Sequence, residues 1–265
     1  MKKAQLILKH NRVLNETTHL LSFSLDPESC AECRPGQFFN LRALDSSAPL
    51  LRRPISICDV RASKGEMDLL VRKVGEGTRL VCGHLPGESL DAVGPLGASF
   101  PVDVSRPALM IAGGVGVAPV FFLARRIRSE ARAKGLTPPP ITFCYGARTA
   151  RDFVLLDRLE ESVDQLILTT EDGSRGARGY VTQAAEAFLT PETGIYVCGP
   201  TPMMQAALGM VQKRGLEAFL SLENQMGCGV GACMGCVVPG REGLIRVCHD
   251  GPVVSSNKLD RLLVE

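Results

Sequence analysis

Residues 107–119 read Pro107-Ala-Leu-Met-Ile-Ala-Gly113-Gly-Val-Gly-Val-Ala-Pro119. An apolar run of strand length passes directly into a glycine-rich turn and then into residues 118–133, whose apolar spacing predicts a helix. The same rhythm continues downstream. Apolar runs ITFCYG (141–146), QLILTT (165–170), GIYVCG (194–199) and EAFLSLE (217–223) alternate with predicted helices over 153–161, 181–188 and 203–214. Strand–helix alternation of this kind implies a parallel, doubly wound α/β sheet occupying 102–220. Upstream, residues 1–101 show short alternating runs (QLILKHN, HLLSFSL, QFFNLRAL, RRPISICDV, EMDLLVRKV) punctuated by Gly and Pro, the pattern of an antiparallel barrel or sandwich. Downstream, 221–265 is a cysteine-rich tail.

Composition narrows the function classes. A net charge of +2 over 265 residues gives no electrostatic footprint for nucleic acid or an anionic membrane. With aromatics at 5% and no Trp, base-stacking platforms are not expected either. The N-terminal apolar run, Ala4 to Leu8, is too short for a signal segment, and no stretch approaches the roughly 18 apolar residues of a membrane span. The expected location is therefore the cytoplasm, where thiols stay reduced, so the ten cysteines call for an explanation other than disulfides.

Four of them, Cys228, Cys233, Cys236 and Cys248, are spaced C-x4-C-x2-C-x11-C, the first three within MGCGVGACMGC. The leading C-x4-C-x2-C matches plant-type [2Fe–2S] spacing. The interleaved glycines let the loop curl and bring backbone N–H groups close to sulfur. A structural zinc on the same thiolates is the alternative, although only one C-x2-C knuckle of the usual two is present. Cys30 and Cys33 form a second C-x2-C with no other half and read as loop thiols.

Three glycine-bearing segments fall at strand ends: GGVGVAP (113–119), TTEDGSRG (169–176) and CGPTPMM (198–204). Ligands of open α/β sheets bind there, and amides at a helix start favour a pyrophosphate, although any one such turn alone is also a plain βα connection. In the first region, RRPIS (52–56) offers a guanidinium for phosphate, and KVGEGTRL (73–80) places Gly77 and Thr78 at a predicted helix start. Taken singly, these are an edge-strand arginine and an N-cap turn.

Their order, RPIS, LVRKVGEGT, GPLG, GGVGVAP, EDGSRGARG and CGPTPMM, resembles the ferredoxin–NADP reductase superfamily, and the cysteine tail narrows the resemblance to the electron-transfer subunits of type B dihydroorotate dehydrogenase. The resemblance implies an antiparallel FAD-binding β-barrel (1–101), a Rossmann-like NAD domain with a parallel sheet (102–220) and a small [2Fe–2S] domain (221–265). It implies that Arg53, Pro54, Ile55 and Ser56 line FAD, with Arg53 near the pyrophosphate and Ser56 near the isoalloxazine. Leu70, Val71 and Arg72 would supply backbone contacts, and Gly77 with Thr78 would hold phosphate. Gly113, Gly114, Val115, Gly116, Thr170, Asp172, Cys198, Gly199 and Pro200 would face NAD. Ile55 departs from the wider superfamily, where a Tyr commonly stacks on the flavin. Arg148 and Arg151 are placed to meet a 2′-phosphate, but Asp152 follows directly and the resemblance favours NAD over NADP.

The implied function is electron transfer. Electrons from the FMN of a dihydroorotate-oxidising catalytic subunit, in a heterotetramer of two copies of each chain, would pass through [2Fe–2S] and FAD to NAD+ in pyrimidine (UMP) biosynthesis. No side-chain acid or base is expected, and no orotate site is evident in the sequence. The alternatives are the flavoprotein subunit of a ferredoxin:NADP transhydrogenase or sulfide dehydrogenase and, from another class, a zinc-stapled nucleotide-binding protein without catalytic activity.

Overall fold

The computed structural model describes residues 2–43 and 49–262. Its first part comprises β1 (Lys2–Val13), β2 (Thr18–Ser24), α1 (Pro27–Glu32), β3 (Phe38–Leu41), β4 (Arg53–Arg61), β5 (Glu66–Arg72), α2 (Glu76–Gly83) and β6 (Ser89–Leu96). The six strands close into an antiparallel barrel in the order β1-β2-β5-β4-β3-β6, which selects the barrel over the sandwich. Side chains alternate as a pleat requires: Phe39 and Leu41 join the barrel core, whereas Phe38 packs outward against the C-terminal part. The helix α1 went unread in the sequence, although its signals are present. The Asp26 carboxylate accepts the Ser29 N–H at 2.9 Å, and Pro27 occupies the first turn. Helix α2 starts two residues before Thr78, because the Thr78 hydroxyl folds back to accept the Val74 and Gly75 N–H groups.

The second part runs β7 (Ala108–Gly113), α3 (Val117–Ala133), β8 (Ile141–Ala147), α4 (Leu156–Glu160), β9 (Gln165–Thr170), β10 (Ala177–Arg178), α5 (Val181–Ala185), β11 (Gly194–Cys198), α6 (Thr201–Lys213) and β12 (Ala218–Ser221). The tail adds β13 (Val237–Gly240), β14 (Gly243–Arg246) and β15 (Val253–Ser255). Strands order as β10-β9-β8-β7-β11-β12-β15, parallel throughout except β15, which pairs antiparallel with β12 at the edge. The cysteine-bearing tail thus completes the nucleotide sheet. Every residue of β7 is buried, as expected for a strand covered on both faces. Its period-two alternation sends Ala108, Met110 and Ala112 toward α3, and Leu109 and Ile111 toward α6. Full burial of each such Leu or Ile contributes about 1.5–3 kcal/mol. Among the described residues, no helix is long and apolar enough to cross a membrane.

Helix α3 joins the two larger parts. Most of its buried face serves the sheet, yet Phe122 belongs to the barrel core. Beside it lies an ionic cluster. Asp59 and Asp68, both 1% exposed and both on the barrel, are gripped by Arg158 from α4, with Nη2 2.5 Å from Asp59 and Nη1 2.9 Å from Asp68. Arg125 of α3 reaches Asp59 at 3.1 Å, and the barrel's own Arg61 contacts both carboxylates. Burial pushes the Asp68 carboxyl up, but the Arg61 and Ser22 hydrogen bonds outweigh it and hold the carboxyl below the usual range.

Removing one partner of a buried ionic cluster leaves charge uncompensated. Arg158→Leu is therefore expected to cost about 3 kcal/mol in urea denaturation at pH 7. Because the Asp68 pKa is lowered in the folded state, the stability it contributes is present above its ordinary value of 3.8 and is lost as pH falls further. The difference between wild type and variant should accordingly shrink below about pH 4 in the same denaturation experiment.

Candidate functional site

The strand order reverses between β7 and β11, so the crevice beyond their carboxyl ends is the switch point where ligands of such sheets bind. Two glycine segments meet there. A Cβ at Gly116 would collide with the Cys198 carbonyl, one at Gly113 would sit 2.7 Å from Met203 Sδ, and one at Gly199 would lie 3.0 Å from the Gly113 nitrogen. The turn after β7 and the end of β11 therefore pack backbone to backbone at the crevice.

Two cavities flank this contact and share Arg72, Gly113, Gly114 and Pro200 in their walls. The first, about 390 Å³, lies between barrel and sheet, lined by Pro54, Ile55 and Ser56 from β4, Leu70 and Arg72 from β5, Thr78 from α2, and Val115, Gly116 and Cys198 from the sheet. Val71 points the other way, into the barrel core, leaving only its backbone to face outward. Arg53 lies over Gly77 so closely that a Cβ there would strike the guanidinium. The adjacent Arg52 is committed elsewhere, ion-paired to Asp91 and hydrogen-bonded to the Asn40 carbonyl, so Arg53 is the arginine turned to the α2 start.

The sequence reading missed one wall of this cavity. Glu223, Asn224 and Met226, from the segment after β12, close it opposite the barrel, and Phe38 contributes from β3. Glu223 stands at a strand's carboxyl end beside the switch point, and that position was its signal in the sequence. Burial pushes its carboxyl up from the ordinary 4.5. Burial, with Glu223 nearby, also pushes the Cys198 thiol up, so at neutral pH Cys198 is a protonated thiol rather than a nucleophile.

The second cavity, about 410 Å³, opens over the sheet end and is lined by Arg148 and Asp152 after β8, Glu171 after β9, and Tyr180 and Thr182 leading into α5. Thr170 and Asp172, the residues assigned here from sequence, do not line it. The Thr170 hydroxyl accepts the Arg175 N–H at 3.1 Å and donates to the Arg175 carbonyl at 2.9 Å. Asp172 accepts the Ser174 N–H at 2.9 Å. Both build the loop that presents Glu171, the residue between them. Arg151, considered in the sequence for a 2′-phosphate, is likewise not part of the lining, whereas Arg148 is.

The four tail thiols stand as two facing pairs, Cys228 with Cys233 and Cys236 with Cys248. The second pair is buried and the first reaches the surface. Among the described residues, no three His, Cys, Asp or Glu side chains are drawn onto one metal-sized centre. The donor set nevertheless suits an anionic sulfur cluster. Backbone N–H groups of Val230 and Cys233 point at Cys228 Sγ, that of Gly231 at Cys248 Sγ (3.1 Å), that of Gly235 at Cys233 Sγ and that of Cys248 at Cys236 Sγ. Partial burial pushes the Cys228 thiol up, but the amides of Val230 and Cys233 prevail and bring it down to about 6. Burial and the Cys236 neighbour push Cys248 up to about 12. Cys228 is primed as a thiolate, and the Cys248 proton is one that a bound metal would displace. Arg246, held by Asp250 at 2.9 Å, adds positive charge beside Cys236 and Cys248.

Comparison with known proteins finds three family matches along the chain. Residues 5–100 match the oxidoreductase FAD-binding domain, 110–208 the oxidoreductase NAD-binding domain, and 223–260 the iron–sulfur cluster binding domain of dihydroorotate dehydrogenase B. The chain is 36% identical to the dihydroorotate dehydrogenase B (NAD(+)) electron transfer subunit of Geobacillus sp. (strain WCH70), covering 98% of this chain and 99% of that one. It is 37% identical to the same subunit of Bacillus cereus (strain Q1) over 83% of this chain and 84% of that one. Among solved structures, a chain from the NADH-dependent reduced ferredoxin-NADP oxidoreductase superposes with a TM-score of 0.83 at 27% identity, covering 97% of this chain and 90% of that one. The ferredoxin reductase of carbazole 1,9a-dioxygenase shares the fold with a TM-score of 0.67 at 23% identity, over 81% of this chain and 66% of that one.

The raised pKa of Glu223 has a measurable consequence. A carboxyl whose pKa is higher folded than unfolded favours folding below its ordinary 4.5, and that contribution is lost as pH rises through the folded value. Glu223 borders the open cavity and its side chain is solvent-accessible in the cofactor-free chain, so Glu223→Gln should raise the melting temperature only slightly at pH 7, with the gain disappearing by about pH 4 in a calorimetric pH series.

Proposed function

The chain belongs to the dihydroorotate dehydrogenase B electron-transfer subunits, and from that membership we infer that it relays electrons between a dihydroorotate-oxidising catalytic partner and NAD+ in pyrimidine biosynthesis. It is an oxidoreductase subunit that uses FAD, NAD and a [2Fe–2S] cluster. The observation that carries this reading is the shared wall: the FAD-side and NAD-side cavities meet at Arg72, Gly113, Gly114 and Pro200, and the FAD-side cavity is closed by Asn224 and Met226, two residues before Cys228.

When bound, the flavin exchanges a hydride with nicotinamide and single electrons with the cluster; the protein supplies distance and electrostatics. Arg53 and the Gly77–Thr78 amides are placed for the FAD pyrophosphate. Pro54, Ile55, Ser56 and Leu70, which line that cavity, would lie along the ring system, with Val71 and Arg72 giving backbone contacts. Gly113, Gly114, Val115 and Gly116 present amides, and Cys198, Gly199 and Pro200 form the wall against which nicotinamide would meet the flavin. Glu171 is the better-placed carboxylate for a ribose hydroxyl, and Thr170 and Asp172 act by shaping its loop. Cys228, Cys233, Cys236 and Cys248 are the thiols that would hold the cluster. The three units of this scheme are 1–101, 102–220 and 221–265.

The catalytic partner carries FMN in our reading, and the assembly holds two copies of each chain. The surface pair Cys228 and Cys233, with the exposed Val230 and Met234 beside it, is the face turned to that partner. All ten cysteines are unpaired, in keeping with a reducing cytoplasm. The transhydrogenase-type alternative has its counterpart in the structure at 27% identity, below the 36–37% shared with the dihydroorotate dehydrogenase B subunits.

The purified complex should hold FAD together with stoichiometric iron and sulfide in this chain. Cys233→Ser should abolish dihydroorotate-to-NAD+ electron flow and the cluster's visible absorbance, while FAD reduction by NADH persists. If the isolated chain oxidised dihydroorotate with NAD+ unaided, or contained zinc and no iron, the relay would be disproved.

A further inference from the structure

Asn40, on β3 of the barrel, is fully buried, and neither its Nδ2 nor its Oδ1 has a hydrogen-bond partner among the described residues. Buried side-chain amides are normally paired, so an orphan of this kind points to a ligand. The neighbours explain why no protein group serves. On one side the register partner is Pro54, which has no N–H, and on the other it is Val93. The nearby Arg52 donates to the backbone carbonyl of Asn40 at 3.3 Å, not to its side chain.

The direction of the side chain narrows the ligand. Phe39 and Leu41 point into the barrel, so Asn40 lies on the outer face with Phe38. Phe38 lines the FAD-side cavity, but Asn40 is not part of that wall. Its Nδ2 instead lies against Gly229, so closely that a Cβ there would clash. Gly229 has φ +74, in the left-handed region, so two independent constraints demand glycine at this point. Gly229 directly follows Cys228, whose Sγ receives the Val230 and Cys233 amides. A donor seated under the turn adjoining Cys228 is one the loop does not itself supply.

We propose that the side-chain amide of Asn40 donates a hydrogen bond to the iron–sulfur cluster at its Cys228 edge, making Asn40 a positioning residue that raises the cluster's reduction potential from the barrel side. The proposal rests on the iron–sulfur reading of the four thiols and names a residue outside the cysteine loop that acts on them. One-electron reduction adds negative charge to the cluster, and a buried donor stabilises the reduced form more than the oxidised one. The barrel would thereby bias electron sharing between FAD and cluster through a group that belongs to neither binding loop.

The test is a redox titration, followed by EPR for the cluster and by absorbance for FAD, on the intact complex carrying wild-type chain, Asn40→Leu or Asn40→Ala. The leucine removes the donor at similar volume. The alanine removes it without adding bulk, and gives the answer if the leucine variant does not accumulate. Both should lower the cluster midpoint while leaving the FAD midpoint in place, with a tenfold change in the electron-exchange equilibrium appearing as about 59 mV. In cofactor-free chain, where the amide has no partner, Asn40→Leu should not lower the melting temperature. An unchanged cluster midpoint in a variant with full iron content would overturn the proposal, as would a shift confined to FAD. Absence of iron from the wild-type chain would instead overturn the iron–sulfur reading itself.

Discussion

The backbone-to-backbone contact between the turn after β7 and the end of β11 is the constraint on which the rest is arranged. Gly113, Gly116 and Gly199 have no room for a Cβ because each faces the other segment or Met203. Any side chain at Gly116 would push against the Cys198 carbonyl and force the two strand ends apart. This close approach makes one thin wall serve both cavities, so a group in the first stands next to a group in the second. Hydride exchange needs the reacting atoms in direct contact at about 3–3.5 Å, and a lining of glycines carries no side chain that would obstruct that contact.

A wall this thin has value only if the parts on either side do not drift. Three separate ties prevent that. Helix α3 buries Phe122 in the barrel while its other apolar residues serve the sheet. The Asp59–Asp68–Arg158 cluster joins barrel strands to α4, on the segment just after Arg148 and Asp152 of the second cavity. The tail is pinned to both larger parts through one short stretch, Pro252 to Ser255. Its β15 pairs with β12, and Ala98 at the end of the barrel bridges to Pro252. The usual default of mobile domains joined by polar interfaces does not describe this chain, in which each unit lends an element to the next.

The features legible in the sequence were those with a local signature. The β7 run and its glycine turn, the alternating barrel strands and the C-x4-C-x2-C spacing all declare themselves within a dozen residues, because pleat, helix period and ligand convergence are short-range geometry. The features that were not legible depend on partners far away in the chain. Asp59 and Arg158 are 99 residues apart, and neither has a local reason to be buried. The choice of Glu171 over Thr170 and Asp172 turns on which side chains the loop consumes internally, and spacing carries no information on that. Likewise β15 reads as a short apolar run, and only the finished sheet shows that β12 was left with an open edge for it to cover.

The burial of the thiols gives the relay a direction. Cys236 and Cys248 are each 2% exposed and sit in the same apolar cluster as Phe38 and Met226, which also line the FAD-side cavity. Cys233 is exposed, and Val230 and Met234 present apolar surface beside it. One thiol pair therefore lies toward the FAD-side cavity within a low-dielectric core, and the other toward the surface. Water is excluded from the inner half, where charge interactions are strongest, and admitted at the outer half, where docking must replace it. A cluster held by these four thiols would span that gradient, within a segment of 21 residues, Cys228 to Cys248, that contains both the exposed Cys233 and the buried Cys248.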